Sequence, residues 1–253
     1  MGYFRYNADA PYITLFGGEH LAILAVSAAV CAALLVLSSR LSAKGYRRLE
    51  WTVVGLIVLS EAAREIGLAL NHAYTVGDLP LHICSLAVFL SLIYAIRPFK
   101  IVGEYLYCLC MPGALFALLF PGWVGLPQTS FFSLNSFFVH TLLFSYPLTL
   151  LCARRLRPAA KRLPLCLLLL CAAAVPIYFF DQKTGANFFF LDYPPAGSPL
   201  ALFADWWGVP GYIFGYFPLF AAVWAVLYLP WIAAGRKRGK EKSGELNTKK
   251  SGF

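Results

Sequence analysis

The sequence predicts an all-α polytopic membrane protein, built as a bundle of seven transmembrane helices. Of its 253 residues, 60% are hydrophobic and only 13% are charged, and the mean hydropathy is +0.68. This composition excludes a water-soluble domain, a disordered chain and a small secreted domain held together by disulfides. In addition, the chain contains apolar runs of about 20 residues, the length that crosses the hydrocarbon core of a bilayer.

Seven such runs account for most of the chain and leave no room for a second folded domain. We therefore predict one transmembrane domain over 1–235, followed by a basic, disordered cytoplasmic tail over 236–253. The predicted spans lie near 19–38, 51–70, 81–97, 101–120, 136–153, 163–180 and 212–232.

The positions of the basic residues predict the orientation of the bundle. All but three of the 21 Lys and Arg residues fall in the first, third and fifth connections or in the tail. The exceptions are Arg5, Arg64 and Lys183. Because Lys and Arg are retained in cytoplasmic loops, the N-terminus is predicted outside and the C-terminus in the cytoplasm. We attribute the net charge of +9 to the basic residues that set this orientation and that contact anionic lipid. Nucleic-acid binding is not indicated, since no loop combines aromatic and basic residues in the way that a nucleic-acid binding surface does.

The seven cysteines all lie inside or at the rim of apolar runs. This placement argues against a disulfide framework, and no Cys-x-x-Cys pair faces a matching pair of histidines, as a zinc site would need. Metal and nucleotide motifs are not apparent either, so we predict no cofactor. The cysteines are Cys31, Cys84, Cys108, Cys110, Cys152, Cys166 and Cys171.

Two predicted spans bring a thiol and imidazoles to the same depth. The third span enters from outside at Pro80, which places His82 about 3 Å and Cys84 about 6 Å below the outer end. The fifth span starts near Asn135, which places His140 about 7 Å deep. Cys84 and His140 could therefore form a nucleophile and its base if the two helices face each other. Alternatively, each is simply buried with a local hydrogen bond.

The second span carries three charged residues, Glu61, Arg64 and Glu65. Their exposure to hydrocarbon would be costly, so they must face the interior of the bundle. Glu61 and Arg64 are three residues apart and can pair, which leaves a net charge of about −1. The group could support a histidine or bind substrate, or it could be an ion pair that locks two helices together.

Two further features could form a lipid site. Met111, Pro112 and Gly113 lie near the middle of the fourth span, where proline is expected to kink the helix and create room for an acyl chain or only for packing. The longest outer connection, 185–211, is rich in aromatic residues and is predicted to fold back over the bundle, although an aromatic belt at the membrane surface is the alternative.

Several short motifs follow one another along the chain in a recognisable order. They are Glu61, Leu79-Pro80-Leu81-His82, Gly113-Ala114-Leu115-Phe116-Ala117-Leu118-Leu119-Phe120-Pro121, His140 with Pro147, and Asn187 before a double proline. Their order resembles that of the YwaF-like bacterial membrane proteins, a family related to the eukaryotic transmembrane protein 164 acyltransferase. The resemblance covers most of the chain.

This resemblance implies a transacylase of the bacterial cytoplasmic membrane that acts on phospholipid and lysophospholipid through a cysteine and a histidine. His140 looks like that histidine. Leu81 stands where the family has its cysteine, and Cys84 lies about one turn deeper on nearly the same face. Ser85 and Thr141 are the alternative nucleophiles.

Two functions therefore follow as hypotheses. In the first, the protein is a lipid acyltransferase or lipid hydrolase in which Cys84 is the nucleophile, His140 is the general base and His82 supports the headgroup or the oxyanion. Glu61, Arg64, Glu65 and Asn187 would then contact the substrate. In the second, the protein is a non-enzymatic transporter or lipid-binding protein that uses the same polar cluster.

Overall fold

The computed structural model describes residues 12–123, 126–127 and 130–250, with side chains described as far as Ala233. Within these residues the fold is all-helical, as predicted. The α-helices are α1 (Gly18–Arg40), α2 (Ala43–Leu70), α3 (Ile83–Ile96), α4 (Lys100–Tyr105), α5 (Met111–Leu119), α6 (Phe131–Cys152), α7 (Leu163–Thr184), α8 (Pro199–Trp207) and α9 (Tyr216–Lys250).

Six helical segments of the described chain are long and apolar enough to cross a membrane. The predicted second span lies in α2, which is not among the six because Glu61, Arg64 and Glu65 interrupt its apolar half. The seven-span count and the orientation of the termini therefore stay predictions. The six segments are Gly18–Arg40, Val76–Ile96, Lys100–Leu119, Phe131–Cys152, Ala160–Thr184 and Gly211–Ala233.

Several helices extend beyond the predicted spans because a local cap fixes their ends. Ser42 and Ser130 accept hydrogen bonds from the backbone N–H groups of Gly45 and Ser133, so α2 begins eight residues and α6 five residues earlier than predicted. At its far end α7 continues to Thr184, where Gly185 takes the left-handed conformation with φ 73°. The backbone of α9 continues into the predicted tail as far as Lys250, although no side chain after Ala233 is described. The disorder predicted for 236–253 stays a prediction.

Helix α6 is the centre of the bundle. Helices α1, α2, α3 and α5 all pack against it, and buried residues lie on most of its circumference. In contrast, α1 exposes most of its apolar side chains, which suits a helix whose outer face contacts lipid. The end at which α2 terminates and α3 and α6 begin is called the outer end below, following the prediction from charge.

The expected irregularity at Pro112 is a π-helical turn, Leu106–Cys110, between α4 and α5. Proline has no N–H, so the carbonyl of Cys108, four residues earlier, loses its helical partner. The indole Nε1–H of Trp224 on α9 donates to that carbonyl at 3.0 Å. A distant helix thus satisfies the backbone group that the proline frees.

The opposite end of the bundle contains a fully buried carboxylate, Glu104. It accepts hydrogen bonds from Arg162 at 2.7 Å, from the backbone N–H of Ala159 at 3.0 Å, and from the Tyr228 hydroxyl. These contacts join α4, the connection before α7, and α9. Glu104 is therefore a structural junction between these three elements.

Candidate functional site

The outer half of the bundle encloses a cavity of about 1240 Å³. This volume is above the roughly 300–1000 Å³ of an ordinary small-molecule pocket. Its walls come from α2, α3, α5, α6, α9 and the segment 184–200, and most of the lining residues are apolar. The cavity lies beside the fourth predicted span, where space was expected, because Pro112 and Gly113 are on its wall. A site of this size and polarity is suited to a lipid.

The three predicted catalytic residues, His82, Cys84 and His140, all line this one cavity. They come from the start of α3 and the middle of α6. The carboxylate of Glu61 interacts electrostatically with both the Cys84 thiol and the His140 ring. His82 and His140 also interact with each other. The structure therefore brings together residues that lie more than 50 positions apart in the sequence, while their catalytic roles stay predictions.

The hydrogen bonding of His140 determines which ring nitrogen is free. Its Nδ1–H donates to the backbone carbonyl of Ser136 at 2.7 Å. Because a carbonyl can only accept, this bond places the proton on Nδ1, and the lone pair of Nε2 has no hydrogen-bond partner among the described residues. The Trp123 indole stacks on the ring with a centroid distance of 4.9 Å. His140 is thus held in the tautomer that a general base needs.

Trp123 is a site residue that the sequence interpretation missed. It lies in the connection after α5, lines the cavity and also makes an edge contact with Phe137 at 5.1 Å. A signal was present, since this tryptophan follows directly after Pro121-Gly122, where the nine-residue run of the family resemblance ends. Indole packing against an imidazole can orient the ring and stabilise its protonated form.

The structure separates the alternative nucleophiles. Ser85 lines the cavity and donates a long hydrogen bond of 3.4 Å to Glu61. Thr141 does not line the cavity, because it is buried between α6 and α1 with hydrogen bonds of 2.8 Å to Ser27 and to the Phe137 carbonyl. Leu81 is likewise not on the cavity wall, whereas Cys84 is. Of the residues considered, Cys84 and Ser85 have the access that a nucleophile requires.

The charged residues of α2 form one paired cluster at the outer rim. Arg64 contacts Glu65 at 2.5 Å and both Glu61 and Asp78 at 3.4 Å. Glu61, Arg64 and Asp78 line the cavity, but Glu65 does not. Partial burial, followed by the neighbouring Glu65 carboxylate, raises the pKa of Tyr74 above its ordinary value, so this phenol stays protonated. Three carboxylates around one guanidinium leave this rim negatively charged.

Asp78 was not predicted, and it explains how the rim is built. Its carboxylate accepts from the Thr75 backbone N–H at 2.9 Å and from the Thr75 hydroxyl at 2.7 Å, which closes a capping box around the short helix Val76–Asp78. The Thr-x-x-Asp spacing is the sequence signal for this turn. The turn presents Asp78 to Arg64 and so ties the connection to α2.

The connection 185–211 does fold over the bundle, as predicted, because residues 185–187, 189–190 and 193–200 line the cavity. Asn187 lies on the cavity wall, but its side chain makes its hydrogen bonds to backbone groups of the same connection. Its Oδ1 accepts from the backbone N–H groups of Asp192 and Tyr193, and its amide donates to the Tyr193 carbonyl. Asn187 therefore shapes the covering segment, and contact with substrate stays a prediction.

The other two histidines lie outside the cavity lining. His20 is fully buried, where its Nε2–H donates to the Leu118 carbonyl at 2.8 Å and its Nδ1 accepts from the Phe16 N–H at 3.0 Å. His72 is exposed at the end of α2. Of the four histidines of the chain, two therefore line the cavity and two do not.

In the described part of the chain, no three His, Cys, Asp or Glu side chains come together to hold a metal ion. In a comparison with known families, residues 15–228 match the model of the TMEM164 family. Neither a curated protein nor a solved structure matches the chain.

Proposed function

Because the chain belongs to the TMEM164 family, we propose that it is a membrane-embedded lipid acyltransferase or lipid hydrolase. The family indicates a lipid-related role in a membrane, and the six apolar helices are those of a multi-pass membrane protein. The finer assignments belong to this proposal: the YwaF-like branch, the bacterial cytoplasmic membrane, and phospholipid and lysophospholipid as substrates.

One observation carries the proposal. The lipid-sized cavity contains a thiol, Cys84, and a histidine, His140, whose Nε2 is left free by the hydrogen bond from Nδ1 to Ser136. A thiol and an unprotonated imidazole nitrogen that line one mostly apolar cavity are the two groups that nucleophilic acyl transfer requires.

The first half of the reaction would form an acyl-enzyme. His140 Nε2 takes the proton from the Cys84 thiol, and the sulfur attacks the carbonyl carbon of a glycerolipid ester. A ring N–H of His82 would stabilise the oxyanion of the tetrahedral intermediate. The carbon–oxygen bond to glycerol then breaks, and the leaving alkoxide takes the proton from His140, so that a lysolipid departs and a thioester remains.

The second half would return the thiol. A hydroxyl group of a lysolipid gives its proton to His140 Nε2 and attacks the thioester carbonyl. The carbon–sulfur bond breaks and the thiolate recovers the proton, which yields a new ester. If water attacks instead, the product is a free fatty acid. The apolar lining of the cavity favours transfer, because it restricts the access of water.

The charge cluster supports a second candidate, a non-enzymatic lipid-binding protein or transporter. Glu61, Arg64 and Asp78 line the same cavity and could hold a polar headgroup or relay a proton. A chemical probe that captures acyl-enzymes distinguishes the two. An enzyme becomes covalently labelled by an activated acyl thioester, whereas a transporter stays unlabelled and moves lipid between the leaflets of liposomes.

The identity of the nucleophile gives a first testable prediction. Purified protein in nanodiscs is incubated with a phospholipid that carries a labelled acyl chain and with an unlabelled lysophospholipid. We expect Cys84→Ala to lower transfer by at least about 10³-fold, because the attacking atom is lost. Ser85→Ala is expected to retain most of the activity, because its hydroxyl contributes only a long hydrogen bond to Glu61.

The matched control for this prediction is Cys171→Ala, which removes an exposed thiol of α7 and should leave transfer unchanged. Neutral hydroxylamine, which cleaves thioesters faster than esters, should release the label from the wild-type protein. If Ser85→Ala is inactive and Cys84→Ala is active, the nucleophile is the serine. If no variant and no wild-type preparation transfers acyl chains, the second candidate is favoured.

A further inference from the structure

The segment that covers the cavity contains a strained turn. Phe189 and Phe190 have φ values of 56° and 52°, in the left-handed region. Bulky L residues rarely adopt this conformation, and two in succession persist only where the surrounding structure enforces them. Both phenylalanines line the cavity, and Phe189 is buried. The strain is therefore stored directly beside the candidate site.

Two tyrosines from the far end of the chain hold this turn. The Tyr216 hydroxyl donates to the Phe189 carbonyl at 2.7 Å, and the Tyr212 hydroxyl donates to the Phe190 carbonyl at 2.8 Å. Tyr212 is fully buried, and the ring of Tyr216 stacks on Phe220 of α9 with a centroid distance of 5.7 Å. Each strained residue thus has its carbonyl fixed by a hydroxyl that is itself held rigidly.

In its observed conformation, the turn packs two aromatic rings against the imidazole of His82. The ring of Phe188 meets the imidazole edge-on at 4.9 Å, and the ring of Phe190 lies 5.7 Å away. Neither ring nitrogen of His82 has a hydrogen-bond partner among the described residues. The aromatic clamp is therefore the contact that orients this histidine, and both of its nitrogens remain available to a ligand in the cavity.

We propose that Tyr212 and Tyr216 are positioning residues, which lock the Phe188–Phe190 turn and thereby hold the His82 ring toward the bound lipid ester. This assignment rests on the proposed function, in which His82 stabilises the oxyanion. The physical link is direct. Without the two hydroxyls the Phe189 and Phe190 carbonyls lose their donors, the turn relaxes from the left-handed region, and Phe190 withdraws from His82.

The test compares wild-type protein with the double variant Tyr212→Phe/Tyr216→Phe, which keeps both rings and their packing. Tyr178→Phe is the matched control, because its hydroxyl has no hydrogen-bond partner among the described residues and lies outside the cavity lining. Three quantities are measured in nanodiscs: hydrogen exchange of the peptide that contains 188–191, the rate at which diethyl pyrocarbonate modifies His82, and the kcat and KM of acyl transfer.

We expect amide exchange in the turn to be at least about fivefold faster in the double variant, since two hydrogen bonds no longer oppose its opening. His82 should be modified faster, because its clamp opens. We expect kcat to fall about 10- to 100-fold with little change in KM, since a misplaced group costs mainly transition-state stabilisation. The control should match the wild type in all three measurements.

The other outcomes contradict either the positioning proposal or the proposed acyl-transfer function, and the measurements distinguish the two. Unchanged exchange would show that the hydroxyls do not hold the turn. Faster exchange with an unchanged rate of His82 modification would show that the turn does not hold the ring, and an unchanged kcat would remove the catalytic consequence. If the wild type transfers no acyl chain while exchange and modification both change, the proposed function fails and the positioning of His82 stands.

Discussion

The variant His140→Ala is expected to lose acyl transfer almost completely, with a fall in kcat of about 10²- to 10⁴-fold. His140 lines the cavity, and the hydrogen bond from its Nδ1–H to the Ser136 carbonyl makes Nε2 the unprotonated ring nitrogen. Removal of the ring leaves the thiol without a base and the leaving alkoxide without an acid. The measurement is the transfer of a labelled acyl chain from phospholipid to lysophospholipid at saturating substrate.

A second variant separates loss of the base from loss of structure. His72 is an exposed histidine at the same end of the bundle, with φ 50°, and Asn tolerates this left-handed conformation. His72→Asn should therefore retain wild-type activity. An active His140→Ala protein would rule out His140 as the general base, whatever the fate of the thiol.

The largest expected effect on stability comes from Glu104→Ala. This buried carboxylate accepts hydrogen bonds from Arg162, the Ala159 backbone and Tyr228, so its removal leaves three donors without their acceptor. We expect the free energy of unfolding to fall by about 3 kcal/mol, because the partly buried Arg162 loses its ion-pair partner and two further donors lose their acceptor. The decrease is measured from the thermal unfolding midpoint in detergent by intrinsic fluorescence.

Glu65→Ala is the comparison for this effect, since it also removes one carboxylate from an ion pair. Glu65 is partly exposed, and Arg64 keeps Glu61 and Asp78 as partners, so we expect a loss of about 1 kcal/mol or less. In addition, replacing both members of the Glu104–Arg162 pair, as in Glu104→Leu/Arg162→Met, should recover part of the stability. A midpoint equal to that of the wild type in Glu104→Ala would contradict the assigned role.

The helical segments were largely predictable because hydrophobicity and length are properties of each segment alone. The spans near 19–38, 101–120 and 163–180 agree with α1, with the Lys100–Leu119 segment and with α7 to within a few residues. Errors occurred where polar groups cap a helix, as at Ser42 and Ser130, since capping depends on one side chain and not on the apolar pattern. The equal depth of Cys84 and His140 stays a prediction, because the counting began at Asn135 and α6 begins at Phe131.

Other features of the site depend on contacts that the pattern does not specify. Trp224 reaches the Cys108 carbonyl, which Pro112 leaves free, across 116 positions of the chain, and Tyr216 reaches Phe189 across 27. Whether such groups meet depends on how each helix is rotated about its axis. Thr141 illustrates the same limit, since one position along α6 from His140 its side chain points to α1 and away from the cavity.

The sequence by itself therefore determined that this protein is helical, that its apolar segments suit a membrane, and that most of its candidate site residues fall within those segments. These conclusions need only local composition and the rise of a helix. The tertiary structure decided which of those residues share a cavity, which nitrogen of His140 is free, and how a strained turn comes to clamp His82. The physical reason is that such contacts form between helix faces brought together by packing, and local hydrophobicity does not fix the rotation of one face toward another.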